Sequence, residues 1–170
     1  MTMTKTFMRT LLIGLISLGI LTLSASPSIA LSDSPQLSPR VLEEVADRID
    51  EGFETYSSSE LKKLNKAANT VYSMRSDMER VQPKIQLRNW TDVHDDVAVL
   101  LPELRQSMYA VTQQLKLSDR ALARAVSTEV LIHLERVDEA DEMNNYQAAQ
   151  INYMQALQDF DIFLTLIPTV

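Results

Sequence analysis

Ser118-Asp119-Arg120-Ala121-Leu122-Ala123-Arg124-Ala125-Val126-Ser127-Thr128-Glu129-Val130-Leu131-Ile132-His133-Leu134-Glu135-Arg136-Val137 decides the fold class. Leu122, Val126, Val130, Leu134 and Val137 recur at spacings of four, four, four and three, which is one face of an α-helix and not the alternation of a strand. Ser118-Asp119 supplies a cap for its start. Beyond it, Asn144-Asn145 forms a turn, and a last helix is predicted from about Tyr146 to Leu166. Ala149, Tyr153, Ala156, Leu157, Phe160, Leu164 and Ile167 face inward on that helix, and Pro168 stops it.

The same pattern continues upstream. Asn89-Trp90-Thr91-Asp92 opens a helix capped by Asn89 or Thr91, with Val97, Val99, Leu100, Leu101, Leu104, Met108, Val111 and Leu115 on its apolar side. Pro102 lies inside it and removes one backbone hydrogen bond, so a kink is expected. Ser57 with Glu60 fits a capping box for the preceding helix. Leu61, Leu64, Ala68, Val71, Met74, Met78 and Val81 line that helix until Pro83 ends or kinks it. Further upstream, Ser38-Pro39 reads as a cap followed by proline at the first helical position. Val41, Val45, Ile49 and Phe53 form a short amphipathic stripe ending near Tyr56.

Only three glycines occur, and after residue 30 only Gly52 remains, which is poor material for hairpins. The fold class is therefore all-α. Four main helices of roughly 20–28 residues, joined by short turns, predict an up-down-up-down four-helix bundle over 57–170. An additional short N-terminal helix occupies 38–56, after a flexible leader at 31–37.

The N-terminus sets the compartment. Lys5 and Arg9 precede an apolar run from Leu11 to Leu23, and Ser28-Ile29-Ala30 is an Ala-x-Ala-like site. Residues 1–30 read as a secretory signal peptide, because the apolar run is shorter than the roughly 20 residues a spanning helix needs. The chain holds no Cys, which excludes a lipid-modified cysteine, a disulfide framework, iron–sulfur ligation and a thiol nucleophile. Net charge is −7, and becomes −9 once Lys5 and Arg9 are removed. Such an acidic chain does not suit nucleic acid, whose phosphates require a basic face.

The inventory for chemistry is thin. His94 and His133 are the only histidines, and a catalytic zinc site needs three protein ligands. Glu129 and His133 are four apart, whereas bundle di-iron sites use a Glu-x-x-His spacing twice. Each histidine is expected to be an ordinary helix-surface or boundary residue. Met74 or Met78 with His133 could be imagined as haem ligands, but methionines at helical spacing are usually core filler. No phosphate loop or nucleophile elbow is present, so neither an enzyme, a cofactor nor a metal is expected. Arg80, Lys84 and Arg88 are spaced four apart around Pro83, with Arg75 a turn earlier. This basic set is either a docking face for an acidic partner or a solvated face paired with Asp77 and Glu79.

From the residues alone the result is an exported helical bundle. Three stretches add a resemblance. Glu129 to Asp138 resembles the third helix of cyanobacterial PsbQ proteins, and Tyr153 to Leu164 with Leu166-Ile167-Pro168 resembles the fourth. Asn89-Trp90-Thr91-Asp92, then Pro102 and Leu104-Arg105-Gln106-Ser107-Met108, is similar to the second. The likeness covers Ser58 to Pro168. It implies a non-catalytic extrinsic subunit on the luminal face of photosystem II that stabilises the oxygen-evolving centre without ligating it. Implied partners are the luminal loops of the core and the other extrinsic subunits, peripheral to the thylakoid membrane. Many cyanobacterial members carry a lipid-modified Cys that this chain lacks, and the 38–56 helix is an addition to the family pattern. The alternative is a periplasmic bundle protein that binds a metal ion or haem.

Overall fold

The computed structural model describes residues 36–53 and 55–168; the expected signal peptide lies outside them, as does most of the 31–37 leader. Ser38 Oγ accepts from the Val41 N–H at 3.4 Å, and Pro39 begins α1 (Pro39–Glu51). Gly52 ends it with φ of 81°, a conformation that glycine adopts without a Cβ clash. The helix therefore stops short of Tyr56, where the apolar stripe had placed its end. Val45 is buried, while Val41, Ile49 and Phe53 pack partly buried against the core. Leu37 is buried too, so the leader is anchored at its last residue.

The capping box holds the start of α2 (Ser58–Glu79). Ser57 Oγ accepts from the Glu60 N–H, and Glu60 Oε2 accepts from the Ser57 N–H at 2.7 Å. Pro83 sits in the first turn of α3 (Val81–Gln86), where a missing N–H costs nothing. Its ring would crowd the Glu79 carbonyl four residues earlier, and α2 ends at Glu79 for that reason. α4 (Trp90–Gln114) runs on through Pro102. Its cap residue is Asn89, but the Asn89 amide donates to Asp92 Oδ2 at 2.7 Å and does not cap the backbone.

Two sequence expectations are corrected in α4 and α5. Val99 lies 62% exposed, because two residues from Val97 is more than half a turn away from the inward face; Val93 is buried one turn earlier instead. α5 (Leu117–Glu142) starts two to three residues sooner than a Ser118-Asp119 cap would place it, with Lys116 at the cap position. Asp119 is then inside the first turn, buried and committed to another helix, and not a cap. Asn144, at φ of 52°, and Asn145 make the final turn, and Asn145 Oδ1 accepts from the Ala148 N–H at 3.1 Å to start α6 (Tyr146–Thr165).

α2, α4, α5 and α6 form the bundle, each antiparallel to the next. The α5–α6 contact is the most extensive, followed by α4–α5 and α2–α4. α3 lies along α4 and α6, and α1 lies against α5. At the far end of α2, the Tyr153 hydroxyl donates to the Met78 carbonyl at 3.1 Å, tying α6 to α2. The described residues contain no strand, and none of their helices is long and apolar enough to cross a membrane. The all-α four-helix bundle with a short N-terminal helix is the architecture observed, with α3 as an additional six-residue segment where Pro83 breaks the chain.

Candidate functional site

The basic set is not one helix stripe. Arg80 sits in the break between α2 and α3, Lys84 lies on α3, and Arg88 follows α3 in a left-handed conformation with φ of 54°. Each has a local partner. Arg80 Nη2 is 2.8 Å from Asp77 Oδ1, Lys84 Nζ is 2.6 Å from Asp96 Oδ2, and Arg88 stands 5.0 Å over the Tyr146 ring. Glu79 pairs with Arg75, whose guanidinium also grips Asp161 on α6 through two contacts of 2.7 and 3.2 Å. Arg80 is well exposed, and its pair with Asp77 is of the weak surface kind.

His133 is a core residue, fully buried, and not the helix-surface or boundary residue expected of it. Its Nδ1 lies 3.3 Å from Asn152 Oδ1, and its Nε2 lies 3.5 Å from Asp159 Oδ2. Both ring nitrogens thus face polar groups of α6, which does not suit a haem ligand. Asn152, also buried, donates to the Ala148 carbonyl at 2.9 Å. Glu129 Oε2, Gln155 Oε1 and Asp159 Oδ2 are buried here without a hydrogen-bond partner among the described residues. Asn152 and Asp159 fall in the same three- and four-residue series as Ala149, Ala156 and Phe160. Two polar residues on the inward face of the last helix were therefore a signal available in the sequence.

Burial, reinforced by the nearby Glu129 carboxylate, pushes the Asp159 carboxyl up to about 7. The folded chain therefore holds that proton more tightly than the unfolded chain does. The resulting stability is fully present below the ordinary carboxyl pKa of 3.8 and is lost as pH rises through about 7. Asp159→Asn is expected to become steadily more stable relative to the parent between pH 4 and pH 7. The relative change should be on the order of 2 kcal/mol or more. Urea unfolding of both proteins across that range checks it; a constant difference would mean that Asp159 ionises normally.

His94, at the start of α4, faces two aspartates near the end of α5. Its Nδ1 lies 2.7 Å from Asp138 Oδ1, and the hydrogen bond to Asp138 holds the imidazole pKa above its ordinary value. Burial, followed by the charge of Asp138, raises the Asp141 carboxyl. One potential ligand atom from each of His94, Asp138 and Asp141 lies within 4.8 Å of the others. The sequence shows the Asp138–Asp141 spacing on one helix, but nothing in it places His94 opposite them.

Two comparisons bear on identity. A family model described as PsbQ, oxygen evolving enhancer protein 3, matches residues 2–168. The chain is also 36% identical over 115 residues to CyanoQ of Synechocystis sp. (strain ATCC 27184 / PCC 6803 / Kazusa), covering 67% of this chain and 77% of that protein. With an all-α bundle in place and the ordered likeness of α4, α5 and α6 spanning its length, the chain belongs to the PsbQ family.

Proposed function

We propose that this chain is a non-catalytic, extrinsic luminal subunit of photosystem II that stabilises the oxygen-evolving complex. The observation that carries the reading is the family match across residues 2–168, described as an oxygen evolving enhancer protein. A filled apolar core and an acidic chain of net −7 suit a protein that acts by docking. The location is the thylakoid lumen, peripheral to the membrane, after export directed by residues 1–30. Partners are the luminal loops of the photosystem II core and the other extrinsic subunits. Fractionation of the source cells tests the assignment: the protein should co-purify with oxygen-evolving photosystem II, and its recovery wholly apart from that complex would refute it.

Arg80, Lys84 and Arg88 are the residues proposed to face an acidic surface of the complex. Docking exchanges the weak Arg80–Asp77 pair for a partner carboxylate, and Lys84 and Arg88 add long-range attraction. Replacing all three with Gln should weaken rebinding to salt-washed photosystem II roughly three- to thirtyfold, from exposed pairs worth about 0–1 kcal/mol each. The parental binding, and not that of the variant, should fall as salt shortens the Debye length from about 10 Å towards 3 Å. Because Lys84 pairs with Asp96 and Arg88 covers Tyr146, the triple variant should also melt slightly lower. Parental affinity with parental salt dependence in the variant would assign docking to another face.

A further inference from the structure

The outer surface of α2 carries an imbalance of charge. Residues 61–76 hold Lys62, Lys63, Lys66 and Arg75 and no acidic residue, in a chain of net −7. Arg75 is committed to Glu79 and Asp161. Lys62, Lys63 and Lys66 are exposed and form no ion pair with any described residue. Glu60, the nearest acid in sequence, is already engaged by Lys116 Nζ at 2.6 Å and by the Ser57 N–H. The three lysines thus differ from Arg80, Lys84 and Arg88, each of which has a local partner. Lys62 and Lys66, one turn apart, stand along an open groove of about 560 Å³ with Ser58, Leu61, Asn65 and Asn69. No side chain lining the groove is anionic, and Leu61 is only partly buried against the core. Tyr72, 39% exposed, follows Asn69 by three residues and so extends the same face.

We propose that this face of α2 docks an acidic segment of a partner protein, whose carboxylates meet Lys62, Lys63 and Lys66 while an apolar side chain enters the groove over Leu61. Like charges one turn apart on a helix repel, and no residue of this chain relieves that repulsion. A partner carboxylate does so, and the lysines steer its approach. An anionic membrane is the poorer fit. A broad surface meets the net negative charge of the whole chain, whereas a narrow segment meets the lysines alone. Leu61 supplies apolar contact, and the Asn65 and Asn69 amides supply hydrogen bonds that fix the register. Lys66 lies roughly 21 Å along the helix axis from Arg80, at 1.5 Å per residue. The lysine face is therefore a second surface, independent of the docking role given to Arg80, Lys84 and Arg88.

Fluorescence anisotropy of a dye-labelled, glutamate-rich peptide with leucine at helical spacing, titrated with the purified full chain, tests the assignment. Saturable one-to-one binding is expected, weakening as salt shortens the reach of the lysine charges. Replacing Lys62, Lys63 and Lys66 together with Gln should lower the affinity about tenfold, as the loss of three exposed charge pairs does. The melting temperature of that variant should match the parent's, because the lysines support no contact within the chain. Asn69→Glu keeps every lysine but puts a carboxylate into the groove, and it should weaken the peptide as well. Arg80→Gln, at the other end of α2, should bind as the parent does. Vesicles of phosphatidylglycerol should not bind under the same conditions. No saturable peptide binding, or equal affinity in the parent and the triple lysine variant, would overturn the proposal. Binding of the vesicles without binding of the peptide would overturn it too, and would assign the face to lipid.

Discussion

Leu134→Asp and Phe160→Asp should each abolish the cooperative thermal transition. Both side chains are wholly buried, one on each of the two helices that share the largest contact. A carboxylate placed there loses its water and meets no cation, at a cost on the order of 5 kcal/mol or more. The stability of a domain of this size is roughly 5–15 kcal/mol, so the folded population falls steeply. Phe160→Leu serves as the control. It keeps an apolar group in place, loses on the order of 1–2 kcal/mol and should still melt cooperatively. Melting of either Asp variant near the parental midpoint would place these residues outside the core.

The second large effect concerns the anchor of α1. The Asp119 carboxylate is 2% exposed, and its Oδ1 lies 3.0 Å from Arg48 Nε. The Tyr56 hydroxyl donates to Asp119 Oδ2 at 3.4 Å and accepts from the Lys116 N–H at 2.8 Å. Lys116 Nζ in turn lies 2.6 Å from Glu60 Oε1, and with Ser57 it holds the Glu60 carboxyl down to about 2. Arg48→Leu removes the cation and leaves a buried carboxylate, at a cost of about 3 kcal/mol. Asp119→Leu strands an arginine that is still partly exposed, so it should cost less. The double variant should recover much of the loss, since an apolar pair needs no compensation. Urea unfolding of the four proteins measures the coupling. A loss under about 0.5 kcal/mol in Arg48→Leu would mean that the pair behaves as an ordinary surface contact and that α1 is held by its apolar contacts, Val45 foremost.

The helices were legible because their determinants are local. The four-residue spacing of Leu122, Val126, Val130, Leu134 and Val137 selects a helix and one face of it, and all five are buried. The Ser38-Pro39 start, the Ser57–Glu60 capping box and the Asn144-Asn145 turn act within four residues of themselves, and each forms as its sequence indicates. Short connections then leave antiparallel neighbours as the simplest packing.

Where the sequence misled, a contact distant along the chain had outweighed a local preference. Ser118-Asp119 has the composition of a cap, but Arg48, on another helix, claims Asp119, and the helix begins at Leu117. His133 was expected at the helix surface or boundary, yet Asn152 and Asp159 of α6 give it polar company inside the core. The three basic residues share a spacing of four, which describes one face only while a helix continues, and Pro83 ends that continuity. His94 lies more than forty residues from Asp138 and Asp141 and meets them only because α4 and α5 run antiparallel. Sequence by itself determined the helices, their inward faces and the family. Tertiary structure decided which charged and polar side chains are buried together, because burial and electrostatic partnership depend on distance in space and not along the chain.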